Sequence, residues 1–330
     1  MDNAFRVAVL GAGNIARSMA KTLSGMTTAR AYAVASRDLE KSKAFAAEHG
    51  FEKAYGSYEE MLADPAVQLV YVATPHTLHY RHARMCLEAG KPVLCEKPFT
   101  VNAAQAEGLF ALAREKGVAI TEAIWPRYMP FFDTVRGLID KGLIGEPRCL
   151  TATLGFDMMS VGRLLDPALA GGALMDLSVY LVNFAFMFFG ADATRIAASC
   201  VKADTGVDAQ NTIAIDFPCG RTASLFSTMT AFTPPTGCIY GDGGYIVLDN
   251  LYNPVSASIY ATESMRLREV HYAPDKITGY EYEVEAMIAA VQSGAVECPQ
   301  MPHAETLRVM KVLDGIRTDW GMDFPGTAEG

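Results

Sequence analysis

Positive charge is in short supply in this sequence: 28 Lys and Arg stand against 37 Asp and Glu, a formal net charge of −9 over 330 residues. That balance argues against a nucleic-acid partner, which needs a basic face to meet phosphates. Paired cysteines are missing as well. Cys86, Cys95, Cys149, Cys200, Cys219, Cys238 and Cys298 include no C-x-x-C spacing. An odd count of seven fits reduced thiols in the cytoplasm better than a disulfide framework. No internal repeat or low-complexity segment occurs, and no signal peptide is read ahead of the first strand, which begins within a few residues of Met1. The composition is half hydrophobic, ample for a core, and the length predicts two domains of ordinary size.

The stretch that organises the rest is Val7–Ala20, VAVLGAGNIARSMA. Val7 to Leu10 is a continuous apolar run, the pattern of a strand buried on both faces of a parallel sheet. Gly11-Ala12-Gly13-Asn14-Ile15-Ala16 follows at once and fits G-x-G-x-x-G/A with alanine last. Gly11 allows the tight turn, Gly13 lets the backbone approach a pyrophosphate, and Ala16 is small enough for close packing of helix on strand. The free N–H groups at the helix start, around Asn14 and Ile15, then face the phosphates. Glycine turns in ordinary α/β proteins match such a motif by chance. The strand before it and the helix after it are what make this one a dinucleotide site.

Ala29–Ser36 (ARAYAVAS) reads as the second strand, and the residues at its end select the dinucleotide. An acidic residue there would hold the ribose hydroxyls of NAD. Ser36-Arg37 stands there instead, with Lys41 one turn into the next helix. A guanidinium and a hydroxyl bind a 2′-phosphate, and Arg37 can stack on adenine. NADP is therefore expected, with NAD kept open by Asp38, which is either the ribose ligand or the helix cap.

Strand and helix continue to alternate: a helix over Leu39–His49, a short strand near Lys53–Tyr55, and a helix opened by the capping box Ser57-Tyr58-Glu59-Glu60. Strands at Leu69–Ala73, Pro92–Cys95 and Ala119–Ala123 and a helix over Ala103–Lys116 complete a doubly wound Rossmann domain, residues 1–123. Two strand ends carry polar residues to the carboxyl edge, where open α/β sheets bind ligands. The first delivers Thr74-Pro75-His76-Thr77. His76, His79 and His82 recur every third residue, but no carboxylate or cysteine pattern joins them, so no metal is expected. A helix start whose first histidine touches cofactor or solvent is the preferred reading. The second strand end delivers Glu96-Lys97-Pro98. Lys97 is either a solvated charge or a proton-transfer and alcohol-polarising group beside nicotinamide, aimed by the acid before it and the proline after it. Thr74, Pro75, His76, His79, Glu96 and Lys97 are all assigned to the cofactor side of the site.

GAGNIA, the TPH loop and the EKP tripeptide, in this order and at these intervals, resemble the glucose-fructose oxidoreductase and inositol dehydrogenase (Gfo/Idh/MocA) family. The segment Glu122-Ala123-Ile124-Trp125-Pro126-Arg127 is similar to the branch of that family containing dimeric dihydrodiol dehydrogenase and NADP-dependent xylose dehydrogenase. The resemblance covers essentially the whole chain. It implies that Trp125 and Arg127 wall the cofactor and substrate pocket; their alternatives are ordinary interdomain core for Trp125 and a structural ion pair for Arg127.

Residues 124–330 read as a second, α+β domain with a large, mostly antiparallel sheet. A helix over Phe131–Lys141 leads into a strand at Arg148–Leu154, and Gly171-Gly172 opens a helix over Ala173–Phe189, ALMDLSVYLVNFAFMFF. That run is nearly long enough to span a membrane, but Asp176 and Asn183 inside it argue against a span. Asp176, Tyr180 and Asn183 fall at i, i+4 and i+7 and share one face of the helix. A polar stripe on a buried helix must find partners: substrate is preferred, backbone hydrogen bonding is the alternative. The family resemblance implies a D-x-x-x-H pattern here that holds the substrate and its proton acceptor, with Tyr180 in place of the histidine. A free tyrosine titrates at about 10; a cationic Lys97 and an oxidised nicotinamide would lower that, and the sequence does not rank Lys97 against Tyr180 as proton carrier.

From Thr194 onward short alternating runs separated by Gly, Pro and Asp turns predict the antiparallel sheet. One face should receive the site-bearing helices. The other, with Ile213, Ile215 and Phe217 in mind, is expected to meet another subunit, since the resemblance implies a homodimer through this sheet. Helices at Glu281–Gln292 and Ala304–Asp319 and a loose tail over Gly321–Gly330 close the chain. The function implied is NADP-dependent hydride transfer to or from a carbinol carbon of a sugar, cyclic polyol or trans-dihydrodiol, with substrate contacts from Lys97, Trp125, Asp176, Tyr180 and Asn183. Two rivals remain: glycoside cleavage through transient oxidation by a bound NAD(P), and cofactor binding without catalysis.

Overall fold

The computed structural model describes residues 4–190, 192–262 and 266–322. The expected loose tail lies outside these residues from position 323 on. In chain order, β1 (Phe5–Leu10), α1 (Asn14–Gly25), β2 (Ala29–Ala35), α2 (Leu39–His49), β3 (Lys53–Tyr55), α3 (Tyr58–Ala63), β4 (Leu69–Val72), α4 (His79–Glu88), β5 (Val93–Glu96), α5 (Ala103–Lys116) and β6 (Ile120–Ala123) form a parallel sheet of order β3-β2-β1-β4-β5-β6 with its helices. The apolar runs of β4 and β5 are buried at every residue, as strands covered on both faces require. The strand order reverses between β1 and β4, and at that switch point the carboxyl ends leave a crevice.

The chain then builds α6 (Pro130–Asp140), β7 (Pro147–Gly155), α7 (Val179–Phe189), β8 (Arg195–Lys202), β9 (Asp208–Asp216), β10 (Thr222–Thr228), β11 (Gly237–Gly241), β12 (Gly244–Leu248), β13 (Ser256–Ala261) and β14 (Leu267–Tyr272), followed by α8 (Glu281–Ser293) and α9 (His303–Asp319). The eight strands lie in the order β14-β13-β12-β11-β7-β10-β9-β8, antiparallel throughout except for the β7–β10 pair. The expected class, a Rossmann domain followed by an α+β domain with a mostly antiparallel sheet, is what folds.

By compactness the chain divides less simply than by one cut after residue 123. The first unit runs to Tyr128 and takes back Lys276–Leu307; the second comprises Met129–Asp275 and the chain from Arg308. The returning segment is tied down in the first unit by its own chemistry. The Glu281 carboxylate accepts from the amides of Ile277 (2.7 Å), Thr278 (3.0 Å) and Gly279 (2.7 Å), fixing the loop that leads into α8. Thr278 bonds Thr22 of α1 at 2.6 Å.

In the second unit α7 packs on β7 and β10. Phe217 lies edge-on to Phe186 and Phe189, and Ile213 and Ile215 are fully buried. These three residues therefore face the unit's own helix, which corrects the expectation that they meet a partner. The opposite face instead carries a row of half-buried tyrosines, with Tyr245 stacked on Tyr260 at 4.7 Å and Tyr240 at 5.9 Å from Tyr245. They alternate with buried Ile239, Ile246 and Ile259. The helix expected over Ala173–Phe189 is not uniform: Leu174–Ser178 winds as a π-turn before α7 begins.

Gly11 is a position where backbone conformation and crowding both exclude a side chain. Its φ is +110°, and a Cβ there would stand 2.8 Å from the Ala73 carbonyl oxygen. Gly11→Ala is expected to lose about 1–3 kcal/mol of stability, read as a lowered urea midpoint; an unchanged midpoint would show that this turn is not constrained.

Candidate active site

The switch-point crevice is a cleft of about 670 Å³ whose lining includes Gly11, Gly13, Ser36, Arg37, Lys41, Thr74 and Pro75, a volume proper to small ligands. Gly13 precedes α1 with no side chain capping the helix, no acidic residue occupies its first turn, and nothing lies within 4 Å of where a Gly13 Cβ would stand. Asn14 and Ile15 begin that helix, so uncapped amides and open space coincide as a pyrophosphate requires. These residues fit a dinucleotide.

At the far end of the cleft the alternatives for Asp38 resolve. Its carboxylate accepts from the amides of Glu40 (3.0 Å) and Lys41 (3.2 Å), so Asp38 is the cap of α2. Ser36, expected on a phosphate, turns its hydroxyl into the loop, donating to the Asp38 carbonyl at 2.7 Å and lying 2.9 Å from Ser42 Oγ. Arg37 and Lys41 are exposed and line the cleft, and among the described residues neither forms an ion pair. Tyr58 also lines it, edge-on to His82 at 4.8 Å. Sequence reasoning placed Tyr58 only inside a capping box, in which Ser57 does accept from the Glu60 amide. Its position just after β3, at the carboxyl edge of the sheet, is the usable signal.

The histidines play three parts. His76 is buried in the turn before α4. His79 is fully buried, with Nε2 2.8 Å from the Thr74 carbonyl and Nδ1 2.9 Å from the Pro98 carbonyl. It joins the loop after β4 to the loop after β5 rather than reaching a cofactor, a correction to its expected role. Burial lowers its pKa. His82 Nδ1 lies 3.0 Å from Thr74 Oγ1. Among the described residues no group of His, Cys, Asp or Glu is arranged to hold a metal.

Glu96, also expected on the cofactor, is buried inside the first unit. One carboxylate oxygen accepts from the Tyr71 phenol in a short bond, the other from the Lys97 amide at 3.1 Å. Its work is to shape the turn that presents half-buried Lys97, whose peptide bond to Pro98 is cis. Trp125 is buried and stacks on Tyr280 at 4.1 Å with a 5° tilt, and Arg127 pairs with Glu305 at 3.3 Å. Trp125 thus packs within the first unit, and Arg127 makes the structural ion pair named as its alternative.

In the second unit Asp176 sits in the π-turn, nearly enclosed, with the Arg163 guanidinium 3.4 Å away. Arg163 is half exposed and was not singled out in the sequence, because no spacing links the loop before Gly171 to this helix. Tyr180 is half-buried, its ring 5.8 Å from that of Tyr252. Asn183 is buried and donates to the Val179 carbonyl at 2.8 Å. Its amide thus serves its own helix, the backbone alternative, which corrects its assignment to substrate.

Residues 5–123 match the oxidoreductase family described as NAD-binding Rossmann fold, and residues 132–247 match the GFO/IDH/MocA C-terminal domain. The chain is 34% identical over 335 residues to trans-1,2-dihydrobenzene-1,2-diol dehydrogenase of Mus musculus, covering 98% of both chains. The chain belongs to the Gfo/Idh/MocA family of oxidoreductases. The Homo sapiens dihydrodiol dehydrogenase is 34% identical over 301 residues, 89% of each chain. Among solved structures, a 3-ketoreductase from Actinomadura kijaniata in complex with NADP and TDP-benzene superposes with a TM-score of 0.87 at 28% identity, covering 96% of this chain and 98% of that one. An aldose-aldose oxidoreductase from Caulobacter crescentus shares the fold, with a TM-score of 0.86 at 22% identity over 96% of this chain and 98% of the other. This family member is an NAD(P)-dependent dehydrogenase or reductase with an NAD-binding Rossmann domain.

Burial lowers the His82 imidazole from 6.5 to about 4. The folded protein thus prefers the neutral ring. The stability this contributes is complete above about pH 6.5 and is lost as pH falls toward 4. His82→Asn should therefore show a shallower fall of the urea midpoint across that window than the parent protein; equal slopes would contradict the burial.

Proposed function

We propose that this enzyme is NADP-dependent and moves hydride between the nicotinamide and a carbinol carbon of a trans-dihydrodiol, sugar or cyclic polyol. The observation that carries the cofactor preference is the pair of cations, Arg37 and Lys41, exposed in the cleft beyond the glycine turn with Asp38 committed to its helix cap. Two positive groups suit a 2′-phosphate, and Asp38, on the same cleft wall, turns one carboxylate oxygen to its helix cap. The bound nicotinamide supplies the hydride acceptor; the chain supplies position and proton transfer.

For the proton, Lys97 polarises the reacting oxygen and Tyr180 exchanges its proton, with Asp176 orienting the substrate or that pair. Tyr180 is the half-buried member of the polar set on its helix, whereas Asn183 is enclosed and bonded. The substrate class is supported by the relatives' names, dihydrobenzenediol dehydrogenases, and by a ketoreductase crystallised with NADP, whose solved forms include variants at one tyrosine and at one lysine. We further propose a cytoplasmic homodimer. The half-buried tyrosine row on the free face of the sheet supports the dimer, and seven free thiols support a reducing compartment.

Nicotinamide absorbance on mixing the protein with NADP or NAD and a panel of aldoses, inositols and trans-dihydrodiols should show NADPH formed with one class. Silence across the panel with cofactor still bound would overturn the reading. Lys97→Met should lower turnover by about 10²–10⁴-fold while leaving NADPH binding intact; near-normal turnover would refute the role of Lys97. Arg37→Ala should weaken NADP by about 10–100-fold, the loss of one charge-assisted contact, and leave NAD unchanged; equal loss for both cofactors would count against 2′-phosphate recognition.

A further inference from the structure

Beneath the π-turn lies a buried polar chain that the proposed chemistry does not use. Asp208, at the first residue of β9, is fully buried, and its Oδ2 accepts two bonds: from the Leu174 amide at 2.8 Å and from Asn211 Nδ2 at 2.7 Å. With the Asn211 amide nitrogen turned to Asp208, its oxygen accepts from the Ser178 hydroxyl at 2.8 Å. Ser178 has then used its one proton, so the 2.7 Å bond to Ser227 of β10 is donated by Ser227. Asn211, Ser178 and Ser227 are all buried. The chain thus runs from two sheet strands to both ends of Leu174–Ser178, the turn that carries Asp176 and leads into Tyr180.

Local backbone is fitted to this arrangement. Gly172 has φ +114°, and a Cβ there would come within 2.2 Å of Asp208 Oδ1, so glycine is what admits the carboxyl. A π-turn is a less favourable winding than an α-turn and is retained where something holds it. Four buried polar side chains, Ser178 on the turn and Asp208, Asn211 and Ser227 on the strands beneath it, cost desolvation that their bonds to one another and to the Leu174 amide offset.

We propose that Asp208, acting through Asn211 and Ser178, is a positioning residue that holds the π-turn and so fixes the direction in which Asp176 and Tyr180 project. The proposal rests on the assignment of Asp176 and Tyr180 to catalysis. Both donors to Asp208 land on the same oxygen, so asparagine can keep both bonds with its single carbonyl oxygen. Burial pushes the Asp208 carboxyl up to about 7, which makes a neutral side chain of the same shape a fair substitute.

Asp208→Ala and Asp208→Asn are compared in the full-length enzyme by steady-state kinetics and by amide hydrogen exchange over residues 172–180. Asp208→Ala should lower kcat by about 10²-fold, as misplacement of reacting groups does, with the KM for NADP unchanged and exchange in the turn accelerated. Asp208→Asn should restore kcat to within a few-fold of the parent and restore slow exchange. If Asp208→Ala folds with parental kcat, or if Asp208→Asn is as impaired as Asp208→Ala, the proposal fails. If the parent itself turns over no panel substrate, the catalytic reading fails instead. Exchange then decides the positioning claim: protection kept in Asp208→Asn and lost in Asp208→Ala upholds it, and equal protection in all three proteins overturns it.

Discussion

The close approach of Gly11 to the Ala73 carbonyl is the constraint on which the first unit depends. β1 and β4 end side by side, the Ala73 amide donates to Leu10 at 2.9 Å, and the Gly11 amide donates to Ala35 at 2.9 Å. The chain must therefore leave β1 in a conformation that only glycine adopts without strain. That exit aims the uncapped amides of α1 into the crevice and leaves room for a phosphate at Gly13. Arg37 and Lys41, from the next crossover, line the same cleft, so room for a phosphate at one end and a pair of cations at the other belong to one crevice.

Around the cleft, polar residues divide into those spent on structure and those left for ligands. Buried groups find partners in the protein: His79 on two carbonyl oxygens, Glu96 on Tyr71 and the Lys97 amide, Arg127 on Glu305. Less enclosed groups of the first unit, Arg37, Lys41 and Lys97, are those the proposed chemistry uses. In the second unit the same division holds along one helix, where Asn183 bonds its own backbone and Tyr180 stays accessible. Enclosure costs a polar group its water, and a partner must replace it.

Elements governed by local rules were legible in the sequence. β3 and the helices α2 and α5 fall where composition and caps put them, and the glycine turn, the alternation of strand and helix and the antiparallel sheet follow from periodicity. What escaped depends on contacts far apart in the chain. Nothing near Glu281 announces that Lys276–Leu307 rejoins the first unit. Which way Ser36 or Glu96 turns is settled by Asp38, Ser42 and Tyr71. The π-turn is held by strands that begin some thirty residues later, with Asp208 and Asn211 as its partners. Ile213, Ile215 and Phe217 are apolar in either setting, so pattern alone could not choose between a partner subunit and α7.

The proposed chemistry turns on direct hydride transfer between a carbinol carbon and the nicotinamide. Its most direct test uses a trans-dihydrodiol or sugar, taken from whichever class is turned over, bearing deuterium at the reacting carbinol carbon, with unlabelled NADP in ordinary water. Direct transfer gives NADPH one mass unit heavier than the unlabelled product, with the deuterium on the nicotinamide ring. Substrate turnover that leaves the cofactor unlabelled and unreduced would contradict it.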